Sequence, residues 1–390
     1  MSWKESDPMS ERVQFIWLLK SGHITVAALC REFGISWKTA YKWADRFEQE
    51  GLEGLKERSR ARHHQAQQTS SEVQELLIGA RKKHPTWGPR KLKAWIEDKD
   101  EALNLPAAST IGDLLKREGL VHKRRRRTHP PAAQAPKPGT IRDPNQEWDA
   151  DFKGEFKLGN GAYCYPLTLT DAYSRYLLGV RALAGTAGAT ARPFFEQAFR
   201  QYGLPWTIRT DNGTPFASSG LGRLSALSVW WIRLGIRPVR GRPHHPQDNG
   251  RHERMHRTLK AETTRPPALE GQGQQQCFDA FRHEYNDERP HEALNLRPPA
   301  RVYRPSPRPY PAKLPEVEYP AHYEIRYVSS GGVFGWHSKR VFVGHSLIGE
   351  HLGLTEVEDG LWRVYFANVE LGLLDEIDLK AQKTGRVLPM

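Results

Sequence analysis

The sequence predicts a multidomain α+β protein, with helices in the first third, an α/β domain in the middle and a small β domain near the C-terminus. Three observations lead to this order. Apolar residues recur with helical spacing to about residue 122, strand-like alternation begins near residue 146, and short β-rich segments follow a Pro-rich stretch at 305–320. At 390 residues, 38% of them hydrophobic, the chain is long enough to build several cores.

The positive charge is concentrated near the N-terminus. Residues 1–142 contain 27 Lys and Arg against 17 Asp and Glu, so +10 (27 − 17) of the net +13 lies there. A basic end of this kind is typical of proteins that bind nucleic acid, although a solubilising surface is the alternative. Three scattered cysteines exclude a disulfide framework, and no apolar run approaches the 18 residues of a membrane span. We therefore expect a cytoplasmic protein with a polyanionic partner and no membrane association.

Residues 1–62 predict a helix-turn-helix domain. Gly22 and Gly34 end two helices, and Ser36 is placed as the N-cap of a third. A short helix, a Gly-containing turn and a second helix form the helix-turn-helix arrangement. The alternative is an ordinary three-helix bundle that buries Trp37, Tyr41 and Trp43. The residues expected to contact DNA from the last helix are Trp37, Lys38, Thr39, Lys42 and Arg46.

Two more N-terminal segments are predicted. A second helical domain at 68–122 begins with the capping-box spacing of residues 71–74, and it is equally consistent with DNA binding and with a packing spacer. A basic, Pro-rich linker at 123–142 should be extended. Its arginines are expected either to contact phosphates or to remain solvated, and they are Arg124, Arg125, Arg126 and Arg127.

Residues 143–305 predict an α/β domain. QEWDADFKGEFKL alternates like a strand and is followed by Gly-Asn-Gly hairpin chemistry, and AYCYPLTLTD and RYLLGVRAL supply two more strands. Helices and short strands then alternate to about residue 263, and a further helix follows at about 275–287. Three antiparallel strands followed by alternating helices and strands is the ribonuclease-H-like order. The β domain predicted at 315–382 has no function that its sequence identifies.

Three acidic residues occupy positions suited to a metal site in this topology. Asp151 lies within a strand, Asp211 follows a strand at the sheet edge where α/β proteins bind ligands, and Glu253 lies one turn into a helix. Clustered carboxylates repel one another, so a cation usually keeps them ionised. Two divalent ions held in this way promote in-line displacement at a phosphodiester. Asp149, on the same strand face as Asp151, is the competing choice for the strand position.

The motifs around these acids resemble the integrase-type core of bacterial insertion-sequence DDE transposases. They are WDADFKG, DAYSRY, TDNGTPF, HHPQDNGRHERMHRTLK and YNDERPHEALNLRPPARVY. The similarity covers roughly 143–305, and the helix-turn-helix region resembles those transposases more loosely. The resemblance implies Asp151, Asp211 and Glu253 as the metal-binding catalytic triad, two Mg²⁺ or Mn²⁺ ions as cofactor and transposon ends as substrate. The 41 residues between Asp211 and Glu253 exceed the common spacing, and we expect the surplus at 218–228, in a loop or helix start that leaves the triad intact if it bulges outward.

The expected function is thus a transposase that binds transposon ends and carries out metal-dependent DNA strand cleavage and strand transfer. Its expected partners are double-stranded DNA, as terminal inverted repeats and as target, and further copies of itself in a homodimer or larger assembly at the bacterial nucleoid. The alternatives are a catalytically inactive, transposase-derived DNA-binding regulator and a ribonuclease-H-type nuclease.

Further side chains around the predicted triad are candidates for DNA contacts. Asn249, Arg257 and Lys260 have this expected role. A phosphate or turn-packing role is favoured over metal binding for three histidines of the same segment, His244, His245 and His252. Orientation of the core or of the DNA, and structural packing against the terminal helix, remain equally open for Asn286, Arg289 and His291. Trp230 and Trp231 are predicted to be core and interface residues rather than base-stacking platforms.

Overall fold

The fold is taken from a computed structural model that describes residues 7–58, 69–121, 141–218, 220–241, 250–377 and 385–387. The chain forms two compact units, Met1–Ser70 and Ser71–Met390. Within the described residues, no helix combines the length and the apolar character that crossing a membrane requires.

The N-terminal unit is the predicted three-helix arrangement. Its helices are α1 (Pro8–Ser21), α2 (Val26–Glu32) and α3 (Trp37–Glu50). The hydroxyl of Ser36 accepts a hydrogen bond from the backbone N–H of Thr39 at 3.2 Å, which confirms the predicted N-cap of α3. Trp43 packs into a small core with Phe15 and Leu29. The alternative of a bundle with all three aromatic residues of α3 in its core is wrong, because Trp37 and Tyr41 are about half exposed.

Three further helices form the start of the second unit. They are α4 (Ser71–Lys83), α5 (Pro89–Lys99) and α6 (Ala108–Arg117), and they share a core that includes Leu77, Trp87 and Ile111. Polar contacts join them to the C-terminal part of the α/β domain. Nδ1 of His84 lies 3.1 Å from Oε1 of Glu284, and the guanidinium of Arg289 lies 5.7 Å from the centre of the Trp87 ring. These contacts support the packing interpretation of this segment.

A mixed six-stranded sheet lies at the centre of the second unit. Its strands are β1 (Glu147–Phe152), β2 (Phe156–Lys157), β3 (Tyr163–Asp171), β4 (Leu177–Leu183), β5 (Thr207–Thr210) and β6 (Arg237–Arg240). β3 pairs antiparallel with β1, β2 and β4, whereas β5 pairs parallel with β1 and with β6. Helix α7 (Gly188–Tyr202) lies between β4 and β5, and α8 (Ala226–Arg233) lies between β5 and β6. Helices α9 (Gly250–Thr263) and α10 (Gly271–His283) follow β6. This is the predicted ribonuclease-H-like order.

Each face of this sheet is covered by a different pair of helices. Trp148 and Ala150 of β1 join a core with aromatic residues of α7 and α8, among them Trp230 and Trp231, so both tryptophans are core residues as predicted. On the opposite face, apolar residues of β3 and β4 pack against Met255 of α9 and against α10. Because side chains alternate along a strand, the carboxylates of β1 point toward the face that α9 covers.

The C-terminal region is the predicted β domain. Its strands are β7 (Glu324–Tyr327), β8 (Val333–Trp336), β9 (Lys339–Phe342), β10 (His351–Glu358), β11 (Leu361–Phe366), β12 (Val369–Asp375) and β13 (Gly385–Arg386). They form a four-stranded sheet, β12-β11-β10-β7, and a three-stranded sheet, β13-β9-β8. Leu224, Val229 and Ile232 from the α/β domain share this domain's hydrophobic core. In the segment 218–228, where the surplus residues were expected, Leu224 is buried in this core, whereas Leu227 is buried in the core of the α/β domain.

Candidate active site

Two of the predicted acids lie on neighbouring parallel strands. β1 and β5 pair with Asp149 opposite Arg209, and continuing this register by two residues places Asp151 level with Asp211. Adjacent strands lie about 4.8 Å apart, so these two residues come from segments in direct contact. The side chain of Asp211 is oriented by the turn that follows, since its Oδ1 accepts a hydrogen bond from the N–H of Gly213 at 3.1 Å. This register agrees with the predictions that Asp151 belongs to a strand and that Asp211 follows one, and it brings the two acids side by side.

Glu253 approaches the same region from α9. The helix is anchored by Met255 and Leu259, whose side chains are buried against the sheet, which leaves Glu253 exposed in the first turn. The pKa of Asp151 is raised to about 7. Burial is the largest cause, the charge of Asp211 is the next, and the charge of Glu253 contributes in the same direction. The electrostatic environment of Asp151 therefore includes both other predicted acids.

Asp149 has a different environment. Burial, and next the charge of Glu147, raise the pKa of Asp149 to about 7, and arginines oppose this rise. Nε of Arg209 lies 3.9 Å from Oδ1 of Asp149. Because Asp149 faces arginines whereas Asp151 faces Asp211 and Glu253, the structure favours Asp151 for the strand position.

Two histidines of α9 are buried beside Asp151. The hydroxyl oxygen of Thr168 lies 2.6 Å from Nε2 of His252, 2.7 Å from Nε2 of His256 and 3.0 Å from the backbone carbonyl of Asp151. Burial lowers the pKa of His252 to about 3 and that of His256 to about 2, so both imidazoles are neutral at physiological pH. Nδ1 of His252 lies 3.1 Å from the hydroxyl of Thr170. These contacts attach the start of α9 to β3 and give His252 the packing role that was favoured for it.

The same histidines mark a compact set of potential ligands. Among the described residues, one group of three side chains could bring ligand atoms to within 4.8 Å of one another, and it consists of Asp151, His252 and His256. Nδ1 of His256 lies 3.7 Å from Oδ2 of Asp151. The carboxylate oxygens of Asp151, Asp211 and Glu253 do not form such a group within 4.8 Å. His256 was not among the predicted site residues, although its place one turn after Glu253 on the same helix was a signal for it.

A basic pocket of about 340 Å³ lies beside Glu253. Besides Glu253, the pocket is lined by Lys153, His256, Arg257, Lys260, Ala261 and Arg265. Arg257 and Lys260 were predicted DNA contacts, and both are exposed. Lys153 and Arg265 were missed. The signal for Lys153 is its position two residues after Asp151 and directly after β1, whereas Arg265 follows the end of α9 and is located by tertiary structure alone.

Other predicted contacts have separate outcomes. The arginines at 124–127 lie outside the described residues, as do Asn249, His244 and His245. On α3, Trp37, Lys38 and Lys42 are exposed. Thr39 is half-buried, and its hydroxyl lies 2.9 Å from that of Ser36, so it takes part in the helix cap. Arg46 is half-buried, with its guanidinium 5.1 Å from the centre of the Trp43 ring.

The three residues whose roles were left open are all in structural contacts. The side-chain amide of Asn286 donates to the carbonyl of Leu177 at 3.0 Å, and its oxygen accepts from the N–H of the same residue at 2.8 Å. Arg289 pairs with Glu262 at 2.9 Å. Burial lowers the pKa of His291 to about 3. The packing interpretation of these residues is the one that the contacts support.

Comparison with known families identifies the domains in the same order. A model described as a helix-turn-helix domain matches residues 11–63, and one described as a homeodomain-like domain matches 39–115. Two models described as an integrase core domain match 142–246 and 234–299. The chain therefore carries helix-turn-helix domains, an integrase catalytic core of ribonuclease-H-like fold and a C-terminal β region.

Individual relatives match this chain over part of its length. The Gag-Pol polyprotein of baboon endogenous virus (strain M7) is 31% identical over 183 residues, which are 46% of this chain and 10% of that protein. The Gag-Pol polyprotein of feline leukemia virus is 32% identical over 124 residues, 32% of this chain and 7% of that protein. The chain thus spans about a tenth or less of the length of these relatives.

Solved structures of viral integrases show weaker likenesses. The HTLV-2 integrase catalytic core domain in complex with magnesium is 17% identical, with a TM-score of 0.33 over 41% of this chain and 97% of that chain. A chain in the structure of the simian T-cell lymphotropic virus intasome in complex with the PP2A regulatory subunit B56 gamma is 18% identical, with a TM-score of 0.37 over 75% of this chain and 97% of that chain.

Proposed function

We propose that the protein is a DDE transposase, a metal-dependent polynucleotidyl transferase that cuts DNA at transposon ends and joins those ends to a target. The observation that carries the proposal is the environment of Asp151 at one edge of an integrase core. Asp211 and Glu253 are near enough for their negative charges to act on its carboxylate. The basic pocket beside Glu253 adds a place for the DNA backbone.

The donor set suits a hard divalent cation. Burial and two neighbouring negative charges disfavour the ionised form of Asp151, and a bound cation would reverse that preference. Asp151, Asp211 and Glu253 would hold the ion or ions through carboxylate oxygens, the ligands that Mg²⁺ and Mn²⁺ favour. Two such ions, when bound, supply activation of the attacking oxygen and stabilisation of the leaving oxygen.

The remaining chemistry consists of positioning, which falls to the chain's own side chains. Lys153, Arg257, Lys260 and Arg265 would bind the phosphates that flank the scissile bond, because ammonium and guanidinium groups neutralise them. Thr168, by anchoring α9, keeps Glu253 in place relative to the strand that carries Asp151. Water would attack a phosphodiester in line and break its P–O3′ bond, which frees a 3′-hydroxyl and leaves a 5′-phosphate. That hydroxyl would then attack a phosphodiester of the target strand and displace the target's own 3′-oxygen.

Recognition of the transposon ends would belong to the N-terminal unit. Trp37, Lys38, Tyr41 and Lys42 share one exposed stripe of α3, as expected of a helix that enters the major groove of double-stranded DNA. Thr39 and Arg46 remain proposed contacts, as do Asn249 and the arginines at 124–127. Joining two ends requires two active sites, so we include a homodimer or larger assembly on nucleoid DNA in the bacterial cytoplasm.

The test is cleavage and strand transfer with a duplex that carries an inverted repeat taken from the DNA flanking the gene. Asp151→Asn, Asp211→Asn and Glu253→Gln should each abolish cleavage while leaving duplex binding intact. Glu155→Gln, a change of an exposed acid just after β1, is the matched control and should remain active. Cleavage retained in all three triad variants would end the proposal.

The same assay separates the alternatives. Tight binding of the ends with no nicking in Mg²⁺ or Mn²⁺ would identify a DNA-binding regulator. Cleavage without joined products, or cleavage of RNA–DNA hybrids alone, would identify a ribonuclease-H-type nuclease.

A further inference from the structure

The hydroxyl of Thr168 has three polar neighbours but a single proton. One neighbour is the backbone carbonyl of Asp151 at 3.0 Å, which can only accept a hydrogen bond, so the Thr168 proton must point there. The other two neighbours are Nε2 of His252 at 2.6 Å and Nε2 of His256 at 2.7 Å. Both nitrogens must then donate to Thr168. One proton arrangement satisfies all three contacts, and it places the proton of each imidazole on Nε2.

The opposite nitrogen of each ring therefore carries a lone pair. In His252 this atom, Nδ1, can accept a hydrogen bond from the hydroxyl of Thr170 at 3.1 Å. In His256, Nδ1 faces Oδ2 of Asp151 at 3.7 Å, too far for a direct hydrogen bond. Two electron-rich atoms facing each other at this distance form a suitable pair of ligands for a cation. Two bonds of about 2.1 Å each can span 3.7 Å without either side chain moving.

We propose that Nδ1 of His256 is an additional protein ligand of the metal ion held by Asp151, which gives this site a nitrogen donor among its carboxylates. The inference rests on the proposed function, because it assumes that Asp151 binds a metal. His252 is excluded as a ligand since both of its nitrogens already have hydrogen-bond partners. His256 would also hold the ion in register with α9, the helix that carries Glu253.

A nitrogen ligand changes which ion the site favours. Mg²⁺ binds mostly to oxygen, whereas imidazole suits transition metals, and Mn²⁺ accepts both kinds of donor. The site should thus bind Mn²⁺ more tightly than a site made only of carboxylates would. The gain depends on His256 and is largely absent for Mg²⁺, for which a water molecule can replace the nitrogen.

The direct test is pulsed electron paramagnetic resonance of Mn²⁺ bound to the full-length protein. We expect electron spin-echo modulation from one directly coordinated imidazole ¹⁴N, replaced by the ¹⁵N pattern when the protein is grown with ¹⁵N-labelled histidine. This labelling needs no mutation, so the test does not depend on a variant that folds. Loss of the bound Mn²⁺ signal in Asp151→Asn would locate the ion.

Matched variants identify which histidine is responsible. The amide N–H of glutamine can replace an Nε2–H donor, so His256→Gln should keep the bond to Thr168 while removing Nδ1. It should abolish the histidine modulation and weaken Mn²⁺ binding at least about tenfold by calorimetry. His252→Gln should retain the modulation and nearly all the affinity.

The outcomes distinguish this inference from the proposed function. Asp151-dependent Mn²⁺ binding with no histidine modulation would overturn the inference and leave the function in place, with a water molecule between His256 and Asp151. Modulation that persists in His256→Gln would also overturn it. If no Mn²⁺ binding depended on Asp151, the proposed function would fail as well.

Discussion

Replacing Asp151 by asparagine should stabilise the metal-free protein while ending its cleavage of DNA. The pKa of Asp151 rises from 3.8 to about 7 on folding, so the folded state binds the proton more tightly than the unfolded state does. One pKa unit corresponds to about 1.4 kcal/mol, so the ionised carboxylate lowers the free energy of unfolding by up to about 4 kcal/mol above pH 7. Because 24% of the side chain is exposed, we expect about 2 to 4 kcal/mol.

The sign of the pH dependence follows from the same shift. A carboxyl whose pKa is raised in the folded state contributes stability that is fully present below pH 3.8 and is lost as the pH rises toward 7. Asparagine cannot ionise, so the advantage of Asp151→Asn should be largest above pH 7 and should shrink steadily between pH 7 and pH 4. Asp149 contributes a similar dependence to both proteins, so the difference between them isolates Asp151.

The assay is denaturant unfolding of the wild-type protein and Asp151→Asn at several pH values, followed by the fluorescence of the buried tryptophans. In EDTA the variant should unfold at higher denaturant concentration at pH 8.5, whereas Glu155→Gln should match the wild type. Adding Mg²⁺ at 100 times its dissociation constant should stabilise the wild type alone by about 2.7 kcal/mol. A variant no more stable than the wild type at pH 8.5 in EDTA would refute the electrostatic reasoning.

Three other changes test the basic pocket, the packing of the β domain against the α/β domain, and the DNA-binding role proposed for α3. The double variant Lys153→Ala and Arg265→Ala should weaken binding of an end-bearing duplex and reduce the slope of log affinity against log salt concentration by about two. An unchanged slope would show that neither residue contacts a phosphate. Ile232→Ala should lower the free energy of unfolding by about 2 to 4 kcal/mol and increase protease cleavage between the α/β and β domains. An unchanged cleavage pattern would show that this side chain does not hold the β domain in place. Trp37→Ala should reduce binding of the end sequence more than binding of an unrelated duplex, and equal losses would assign Trp37 to backbone contacts alone.

Local signals were sufficient to predict most of the helices and strands. Ser36 caps α3 as predicted, because its hydroxyl accepts a hydrogen bond from a backbone N–H three residues away. Such signals succeed since helix caps, turns and strand alternation depend on residues close together in sequence. The same alternation predicted that Asp149 and Asp151 share one face of their strand, and the structure buries Trp148 and Ala150 in a core on the other face.

Features that join distant segments were not predictable in this way. The segment at 218–228 is a polar, Gly-containing stretch, yet Leu224 within it is buried by strands more than 100 residues later. The basic pocket combines Lys153, just past the end of β1, with Arg265 from beyond α9. Neither arrangement leaves a periodic pattern, because each depends on how separate elements pack.

The amino-acid sequence by itself determined the order of the domains, the strand and helix pattern of the catalytic core and the three acids proposed for its centre, because each of these is encoded in short-range spacing. Tertiary structure alone decided which side chains surround those acids. Packing α9 across β3 buries His252 and His256 on Thr168 and leaves Nδ1 of His256 beside Asp151. Burial and the nearby charges then set the pKa of that carboxyl, and both act through space rather than along the chain.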